Sequence, residues 1–297
     1  MNNYVILSDS ACDLDSNFRT KYDVDYVPMS FVVDGKIYDA NLDWKPFSAK
    51  EFYDLMRDGK RITTAQVNVE TYKKAFKAYA EAGKDVLYIA CSSNISASIN
   101  SARTAREEIL KDYPNAKIII VDALRACYAL GIIVLTASEN RANGMSIEDN
   151  AKWIEENKLT ARMEGTVDTL KYLKQAGRVS AAAAFFGGLL TVKPIIVADA
   201  LGRNFSVAKV KGRKNSIEYL AQSIKENIED VPHQKVFISH ADCIEDAEIL
   251  KQAIFEKLGK EIDVHIGYVG PCVGASVGPG MISTYYFGKK VTLNKGE

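Results

Sequence analysis

The chain has 297 residues, of which 47% are hydrophobic and 26% are charged, and its formal net charge is zero. This composition is typical of a soluble globular protein with room for two domains. Nucleic-acid-binding proteins usually carry a surplus of basic residues, so the neutral balance argues against a nucleic acid partner.

The sequence shows no sign of export, membrane insertion or metal binding. Met1 leads into a strand pattern without a basic segment, so we expect no signal peptide. The longest uncharged apolar run, 181–192, is too short to cross a bilayer, and we expect no stable membrane insertion. The five cysteines contain no CxxC pair, which favours a reducing, cytoplasmic location. The three histidines have no cluster of metal-ligand spacing beside them, so we predict no metal.

Strand and helix patterns alternate in the first half of the chain. Apolar periodicity predicts strands at 4–7, 86–90 and 117–121, and helices at 69–82, 96–111 and 125–142. Asp34-Gly35 lies between two apolar runs and predicts a hairpin over 31–38. Ser48 and Glu51 form a capping box that predicts a helix start. Alternating βα units predict a Rossmann-like, mostly parallel sheet that is covered on both faces.

The pattern changes after a helix that begins at Ser146 and runs to about Asn157. Strands are predicted at 159–167, 194–198, 205–210, 236–239 and 263–268, and helices at 168–175, 215–228 and 244–258. The runs on either side of Gly202 are expected to pair as antiparallel strands. We therefore predict an α/β protein with an N-terminal Rossmann-like domain, 1–150, and a C-terminal two-layer α/β domain, 151–297.

Polar segments recur where strands end and helices begin. Two hydroxyls, Thr63 and Thr64, precede a helix, and the Ser-rich segment 92–98 lies between a strand and a helix. The glycine-rich segment 270–280 is expected to be a shaped loop with Ser276 in its middle. Ligands bind at the carboxyl ends of strands in open α/β sheets, and helix N-termini suit anions. Simple helix capping explains each segment equally well by itself, but together they favour a polar binding site.

An enzyme interpretation has little support in the residues. The segment Gly274 to Gly278 matches G-x-S-x-G, but no His or Asp follows it, as a hydrolase triad would require. No Walker A sequence and no G-x-G-x-x-G motif after a strand is present, so we expect no cofactor. Hydroxyls without a neighbouring base suit binding of an anion such as a carboxylate, rather than its chemical conversion.

Several segments, in the same order, resemble the DegV family, the FakB-type fatty-acid-binding proteins of bacteria. Ser8 to Leu14 is similar to the family's S-D-S-x-x-D-L, and 170–179 is similar to its L-x-Y-L-K-x-G-G-R-I. Thr64 to Asn68 looks like T-S-Q-P-S, and Ser92 to Ser98 looks like S-S-x-L-S-G-T. Gly274 to Gly280 resembles G-x-H-x-G-P-G, and the resemblance covers nearly all of the chain.

The resemblance implies a lipid bound between two domains. Thr64 and Ser96 would be the hydroxyls that bind the carboxylate of a long-chain fatty acid. The other ligand-binding positions implied nearby are Ile95, Ser98, Ser276 and Gly278. The acyl tail would lie in the C-terminal domain, where an apolar run is either its lining or plain core, with Phe185, Phe186 and Leu189 as candidates.

The resemblance also implies a partner and no catalysis. In the family, an acyl kinase phosphorylates the bound fatty acid, and the DegV protein itself catalyses nothing. A basic face for that kinase or for the phosphate would include Arg178, Lys209, Lys211 and Arg213, although an ordinary solvated surface explains these side chains equally well.

The chain departs from the family pattern at the head-group site. Ser276 replaces the family's His, Ala97 replaces a Gly, and Val67 replaces a Pro, while Ala123 and Cys127 stand where Ser is usual. A serine cannot donate a charged hydrogen bond, so we expect weaker head-group binding with acyl binding retained. The alternatives are an enzyme, a hydrolase or phosphotransferase, acting on a small substrate in the same cleft, and a lipid sensor whose partner is not a kinase.

Overall fold

The computed structural model describes residues 4–179 and 191–294, and the first sheet lies in the first of these ranges. Its strands are all parallel and are, in spatial order, β2 (Val24–Val27), β1 (Tyr4–Asp9), β6 (Asp85–Ala90) and β7 (Ile118–Asp122). Every residue of β1 is buried, as expected for a central parallel strand that is covered on both faces. The predicted α/β class is confirmed.

Several helices of the first half begin at capping side chains that the sequence supplies. They are α1 (Ser16–Tyr22), α2 (Ala49–Arg57), α3 (Val69–Glu81), α4 (Ser98–Asp112), α5 (Cys127–Ala142) and α6 (Ile147–Asn157). The capping box at the start of α2 is confirmed, because the Ser48 side chain accepts from the Glu51 backbone and the Glu51 side chain accepts from Ser48. Asn68 and Ser146 cap α3 and α6 in the same way through their side-chain oxygens.

A small antiparallel sheet lies beside the first one. Its strands are, in spatial order, β4 (Lys36–Asp39), β3 (Ser30–Val33) and β5 (Thr63–Ala65). The predicted hairpin is confirmed: Asp34 and Gly35 both have positive φ, at 48° and 78°, as a two-residue hairpin turn requires. Strand β5 pairs with β3, and this pairing places Thr64 opposite Phe31.

The later part of the chain forms a mixed sheet. Its strands are, in spatial order, β10 (Asn204–Lys211), β9 (Val192–Ala198), β8 (Ala161–Thr166), β13 (Ile282–Phe287), β11 (Val236–His240) and β12 (Val264–Tyr268). The antiparallel pairing around Gly202 is confirmed, and only the β11–β12 pair of this sheet is parallel within the described ranges. The helices are α7 (Lys171–Ala176), α8 (Arg213–Asn227), α9 (Ile244–Leu258) and α10 (Pro271–Val277).

Helix α5 lies between the parallel sheet and the mixed sheet. It contacts β1, β2 and β6 on one side, and β8 and β13 on the other. Every residue from Cys127 to Ser138 is buried, so this helix has no solvent face over three turns. One hydrophobic core therefore includes residues of both sheets, and the division of the chain at residue 150 stays a prediction.

The prediction that segment 270–280 is a loop was wrong for most of its length, because Pro271–Val277 forms a helix. Gly270 is its N-cap, Pro271 occupies the first turn, and Gly278 ends the helix at a φ of 76°. A proline at the start and a glycine just past the end are ordinary helix boundary signals. Gly274 lies inside the helix. A glycine is needed at this position because a Cβ there would come 2.5 Å from the Tyr53 hydroxyl.

No helix in the two described ranges combines the length and the apolar character needed to cross a lipid bilayer.

We predict that Gly274→Ala destabilises the protein even though alanine favours helices. The added methyl would overlap the Tyr53 hydroxyl, and overpacking of this kind costs about 1–3 kcal/mol. Urea unfolding would measure the change in the free energy of unfolding. In a Tyr53→Phe background, which removes the overlapping hydroxyl, the same substitution should cost less. An equal cost in both backgrounds would show that the contact with Tyr53 is not the reason for Gly274.

Candidate functional site

A cavity of about 410 Å³ lies between the carboxyl end of the parallel sheet, β5 and α10. Among its lining residues are five that the sequence analysis singled out, from four separate segments of the chain: Thr64, Ile95, Ser96, Arg178 and Ser276. The other lining residues are mostly apolar or small: Ala11, Met29, Ala65, Gln66, Cys91, Ala97, Ala126, Leu173, Asn204, Cys272, Val273 and Val277. The structure thus brings the predicted hydroxyls together, while their role in binding stays a prediction.

The hydroxyls of the cavity fall into two groups. The Ser96 hydroxyl lies 3.0 Å from that of Ser98, and the Ser98 oxygen also accepts from the Val67 backbone N–H at 3.1 Å. Ser98 is buried behind Ser96, so it supports the cavity wall and is not part of its lining. The hydroxyls of Thr64 and Ser276, both half-buried, have no hydrogen-bond partner within the described residues. They are therefore available to a ligand.

The electrostatics of the cavity favour an anion. Helix α4 begins beside Ser96, whose hydroxyl oxygen accepts from the Ser98 backbone N–H at 3.3 Å. The positive end of this helix therefore lies at the cavity. The first turn of α4 contains no acidic residue. The Arg178 guanidinium donates through Nε to the Ile95 carbonyl at 3.2 Å, which fixes this cation at the cavity wall. A carboxylate placed here would meet partial and full positive charge.

An apolar slot of about 60 Å³ continues the cavity toward the mixed sheet. Both spaces share lining residues, including Ile95, Leu173, Val273 and Val277. Deeper in the slot, the walls come from the start of α5 and from the face of β8 and β9, with Met163, Gly165, Val167, Ile196 and Ala198. The predicted acyl-pocket residues Phe185, Phe186 and Leu189 lie outside the described residues.

A second hollow of about 100 Å³, called the outer hollow below, adjoins the cavity. It shares Thr64, Arg178 and Ser276 with the cavity and adds Arg61, whose side chain the sequence analysis did not include in the site. Neither arginine forms an ion pair with a described residue. The only sequence signal for Arg61 was its position three residues before Thr64.

Three predicted site residues have other surroundings. Arg213 forms an ion pair with Asp246 at 2.8 Å, and Lys211 ends the edge strand β10. Among the described residues, neither of these two lines the cavity, the slot or the hollow. Gly278 packs against Tyr172, where a Cβ would lie 2.0 Å from the ring, so packing alone accounts for this glycine. Their roles in partner and ligand binding stay predictions.

The thiols at the cavity are held in their neutral form. Cys91 and Cys272 line the cavity and are buried, and burial raises the pKa of both thiols above the usual range. Since the thiolate is the reactive form, these cysteines act as small apolar groups. Within the described residues, no group of three or more His, Cys, Asp or Glu side chains is placed to hold a metal ion.

A buried carboxyl group lies behind the slot. Asp13 accepts a hydrogen bond from the Cys127 thiol at 2.7 Å, and its other oxygen lies against the backbone of Gly270. Burial raises the pKa of Asp13 to about 7, against the lowering effect of the Cys127 and Gly270 hydrogen bonds. The carboxyl of Asp13 therefore binds its proton more tightly in the folded chain than in the unfolded chain.

We predict that Asp13 makes the chain lose stability as the pH rises from about 4 to about 7. The folded-state pKa of Asp13, about 7, exceeds the unfolded value of about 3.9, so its stabilising contribution is present at low pH and is lost through pH 7. Urea unfolding at several pH values measures this slope. Asp13→Asn should flatten it, whereas the exposed substitution Asp34→Asn should leave it unchanged. A slope as steep in Asp13→Asn as in the wild type would contradict the assignment.

Comparisons with known proteins identify the family and the fold of the chain. The model of the DegV family, described as an uncharacterised protein family, matches residues 3–289. A DegV domain-containing protein of Clostridium perfringens is 38% identical over 288 residues, which is 97% of this chain and 98% of that protein.

Two solved structures share the fold over almost their whole length. A DegV lipid-binding protein from Thermotoga maritima has a TM-score of 0.83 at 28% identity, covering 98% of this chain and 100% of that one. A stearic-acid-binding protein from Eubacterium ventriosum has a TM-score of 0.85 at 25% identity, covering 96% and 98%.

Proposed function

Since this chain belongs to the DegV family, we propose that it binds a long-chain fatty acid, with the carboxylate in the hydroxyl-lined cavity and the tail in the apolar slot. The observation that carries the proposal is that the two spaces adjoin, with Ile95, Leu173 and Val277 lining both. A polar space that opens into an apolar one matches a ligand with one charged end. The lipid-binding relative from Thermotoga maritima supports the same ligand class.

The head group is held by three hydroxyls and one guanidinium of the cavity wall. The hydroxyls of Thr64 and Ser276 donate to the carboxylate from β5 and α10, and Ser96 donates from the start of α4. Arg178 adds a cation at the same wall. Hydrogen bonds to a charged group contribute about 1.5–3 kcal/mol each, so the loss of the family's histidine weakens this end without abolishing binding.

The tail supplies most of the affinity. Burying about fourteen methylenes at ~0.8 kcal/mol each contributes roughly 11 kcal/mol before the costs of binding. The slot of about 60 Å³ is smaller than such a tail, so its walls must separate as the lipid enters. Gly165 lines this slot, and the Ser283 side chain packs against it so closely that a Cβ there would lie 2.8 Å from the Ser283 hydroxyl.

The bound carboxylate is presented to a partner acyl kinase. The outer hollow opens beside the head-group residues and carries Arg61 and Arg178, which suit an incoming phosphoryl group. Lys211 and Arg213 extend the basic face that the kinase contacts. The chain itself performs no catalysis in this scheme, because its cavity thiols are neutral and its hydroxyls have no base beside them. We place this binding step in the cytoplasm.

Mass spectrometry of the denatured protein tests the proposal. An organic extract of the purified chain is expected to contain a fatty acid in about equal amount to the protein. Val277→Phe should abolish long-chain binding, because Val277 lines both the cavity and the slot, and a larger ring blocks the passage between them. The conservative change Val277→Ile is the matched control and should retain the lipid.

One result of this extraction would contradict the proposal. An empty extract, repeated after incubation with mixed fatty acids, would mean that the ligand is not a fatty acid. Transfer of phosphate from ATP to the bound lipid, with and without an added acyl kinase, tests the presentation step separately.

We predict that Ser276→His strengthens fatty acid binding by about tenfold near pH 6. A protonated imidazole on α10 would donate a charged hydrogen bond to the carboxylate, where the serine donates a neutral one. Fluorescence displacement of a labelled fatty acid measures the affinity. Thr104→Val, which changes an exposed hydroxyl elsewhere on α4, is the control for nonspecific effects. Unchanged affinity in the Ser276→His variant would contradict the head-group position.

A further inference from the structure

A chain of hydroxyl groups connects the cavity to a buried carboxyl. The Ser96 hydroxyl lies 3.0 Å from that of Ser98. The Ser98 side chain also lies next to the Tyr72 hydroxyl, and its influence lowers the pKa of Tyr72 against the larger raising effect of burial. The Tyr72 hydroxyl lies 2.5 Å from that of Tyr88, and Tyr88 donates to Asp9 Oδ2 at 3.0 Å.

The inner members of this chain of hydroxyl groups are shielded from solvent. Tyr72, Tyr88 and Asp9 each have 0% exposure, and Ser98 has 2%. Their hydroxyl groups therefore cannot form hydrogen bonds with bulk water. Ser98 and Asp9 also accept backbone N–H groups, from Val67 in one case and from Ala11 and Cys91 in the other. These bonds occupy lone pairs but leave the hydroxyl protons free to point in either direction along the chain.

The number of protons fixes the direction in which the hydroxyl groups of this series donate their hydrogen bonds. Without a ligand, the four hydroxyls of Ser96, Ser98, Tyr72 and Tyr88 have four protons for the four contacts that end at an ionised Asp9. All four then point toward Asp9, and Ser96 directs its proton away from the cavity. A bound carboxylate adds a fifth contact, and both of its ends would then be anions that only accept.

We propose that Asp9 is a positioning residue for the head group: it takes up a proton when an anionic ligand binds, and the hydroxyl chain reverses so that Ser96 donates to that ligand. This inference rests on the proposed function, because it requires a carboxylate at Ser96. The proton comes from water in the cavity and enters at Ser96. Each hydroxyl passes one proton to the next oxygen, so that only O–H bonds break and form and Asp9 ends protonated.

The surroundings of Asp9 are compatible with this change. Burial raises the pKa of Asp9, while the hydrogen bonds from Cys91, Ala11 and Tyr88 lower it. The titratable groups facing Asp9 are neutral thiols and phenols and one more carboxyl: Cys12, Cys91, Cys272, Tyr72, Tyr88 and Asp13. Since no cation is among these described neighbours, the buried negative charge is costly, and protonation removes it.

Calorimetry with laurate provides the test. Titrations at one pH, between about 7 and about 9, in buffers of different ionisation enthalpy count the protons taken up on binding. Wild-type protein is expected to take up about one proton per laurate, and its affinity should rise by up to ~tenfold for each unit of falling pH. Dodecanol, which donates its own hydroxyl proton, should bind with no uptake.

Two substitutions distinguish the hydroxyl chain from other causes. Tyr72→Phe interrupts the chain and leaves the Tyr88–Asp9 contact in place, so laurate should bind without proton uptake. Tyr4→Phe is the matched control: Tyr4 is also buried in the parallel sheet, but its hydroxyl donates to the Met145 carbonyl, and uptake should persist. The wild-type comparison of laurate with dodecanol needs no variant to fold.

Each other outcome overturns the inference. Laurate binding without proton uptake in the wild type, or equal uptake in Tyr72→Phe, would show that Asp9 does not couple to the head group. Loss of uptake in Asp13→Asn would show that Asp13, and not Asp9, takes up the proton. If neither laurate nor dodecanol binds to the wild type, the proposed fatty acid site is itself wrong.

Discussion

The burial of helix α5 on all sides is the constraint on which the rest of the structure depends. Its residues Cys127 to Ser138 face β1 and β6 on one side and β8 and β13 on the other. A helix without a solvent face is stable only when both sheets are in place, so the two halves of the chain share one core. Gly131 allows the close approach on one side, since a Cβ there would lie 2.8 Å from the Cys12 carbonyl.

The candidate site follows from this arrangement. The start of α5 forms one wall of the apolar slot through Ala126 and Cys127, and the parallel sheet brings its carboxyl edge to the same place. Strand β5 and helix α10 then close the polar end with Thr64 and Ser276. The carboxyl edge of the parallel sheet therefore borders both the polar and the apolar part of the site, and the shared core holds the two parts together.

Local patterns were enough to predict much of the fold and part of the site. The hairpin at Asp34-Gly35 and the capping box at Ser48 depend only on neighbouring residues, and both are confirmed. Strand β13 was not predicted, because its residues are buried on both faces and show no alternation. Helix α10 was missed because its glycines were interpreted as loop residues. Gly274 is instead a helical residue that leaves room for the Tyr53 hydroxyl. Tyr72 and Tyr88 could not be connected to Ser96 from sequence, since the contacts join distant segments.

The place of β13 in the mixed sheet has a consequence for biosynthesis. This strand, Ile282–Phe287, lies between β8 and β11, and it follows α10 in the chain. The sheet therefore has a gap at its centre until residues 282–287 have left the ribosome, and the Ser276 side of the cavity is synthesised only shortly before them. Contacts between such distant segments form late in folding. Any ligand must accordingly load after synthesis, and the nascent chain exposes an unpaired sheet edge that chaperones are suited to cover.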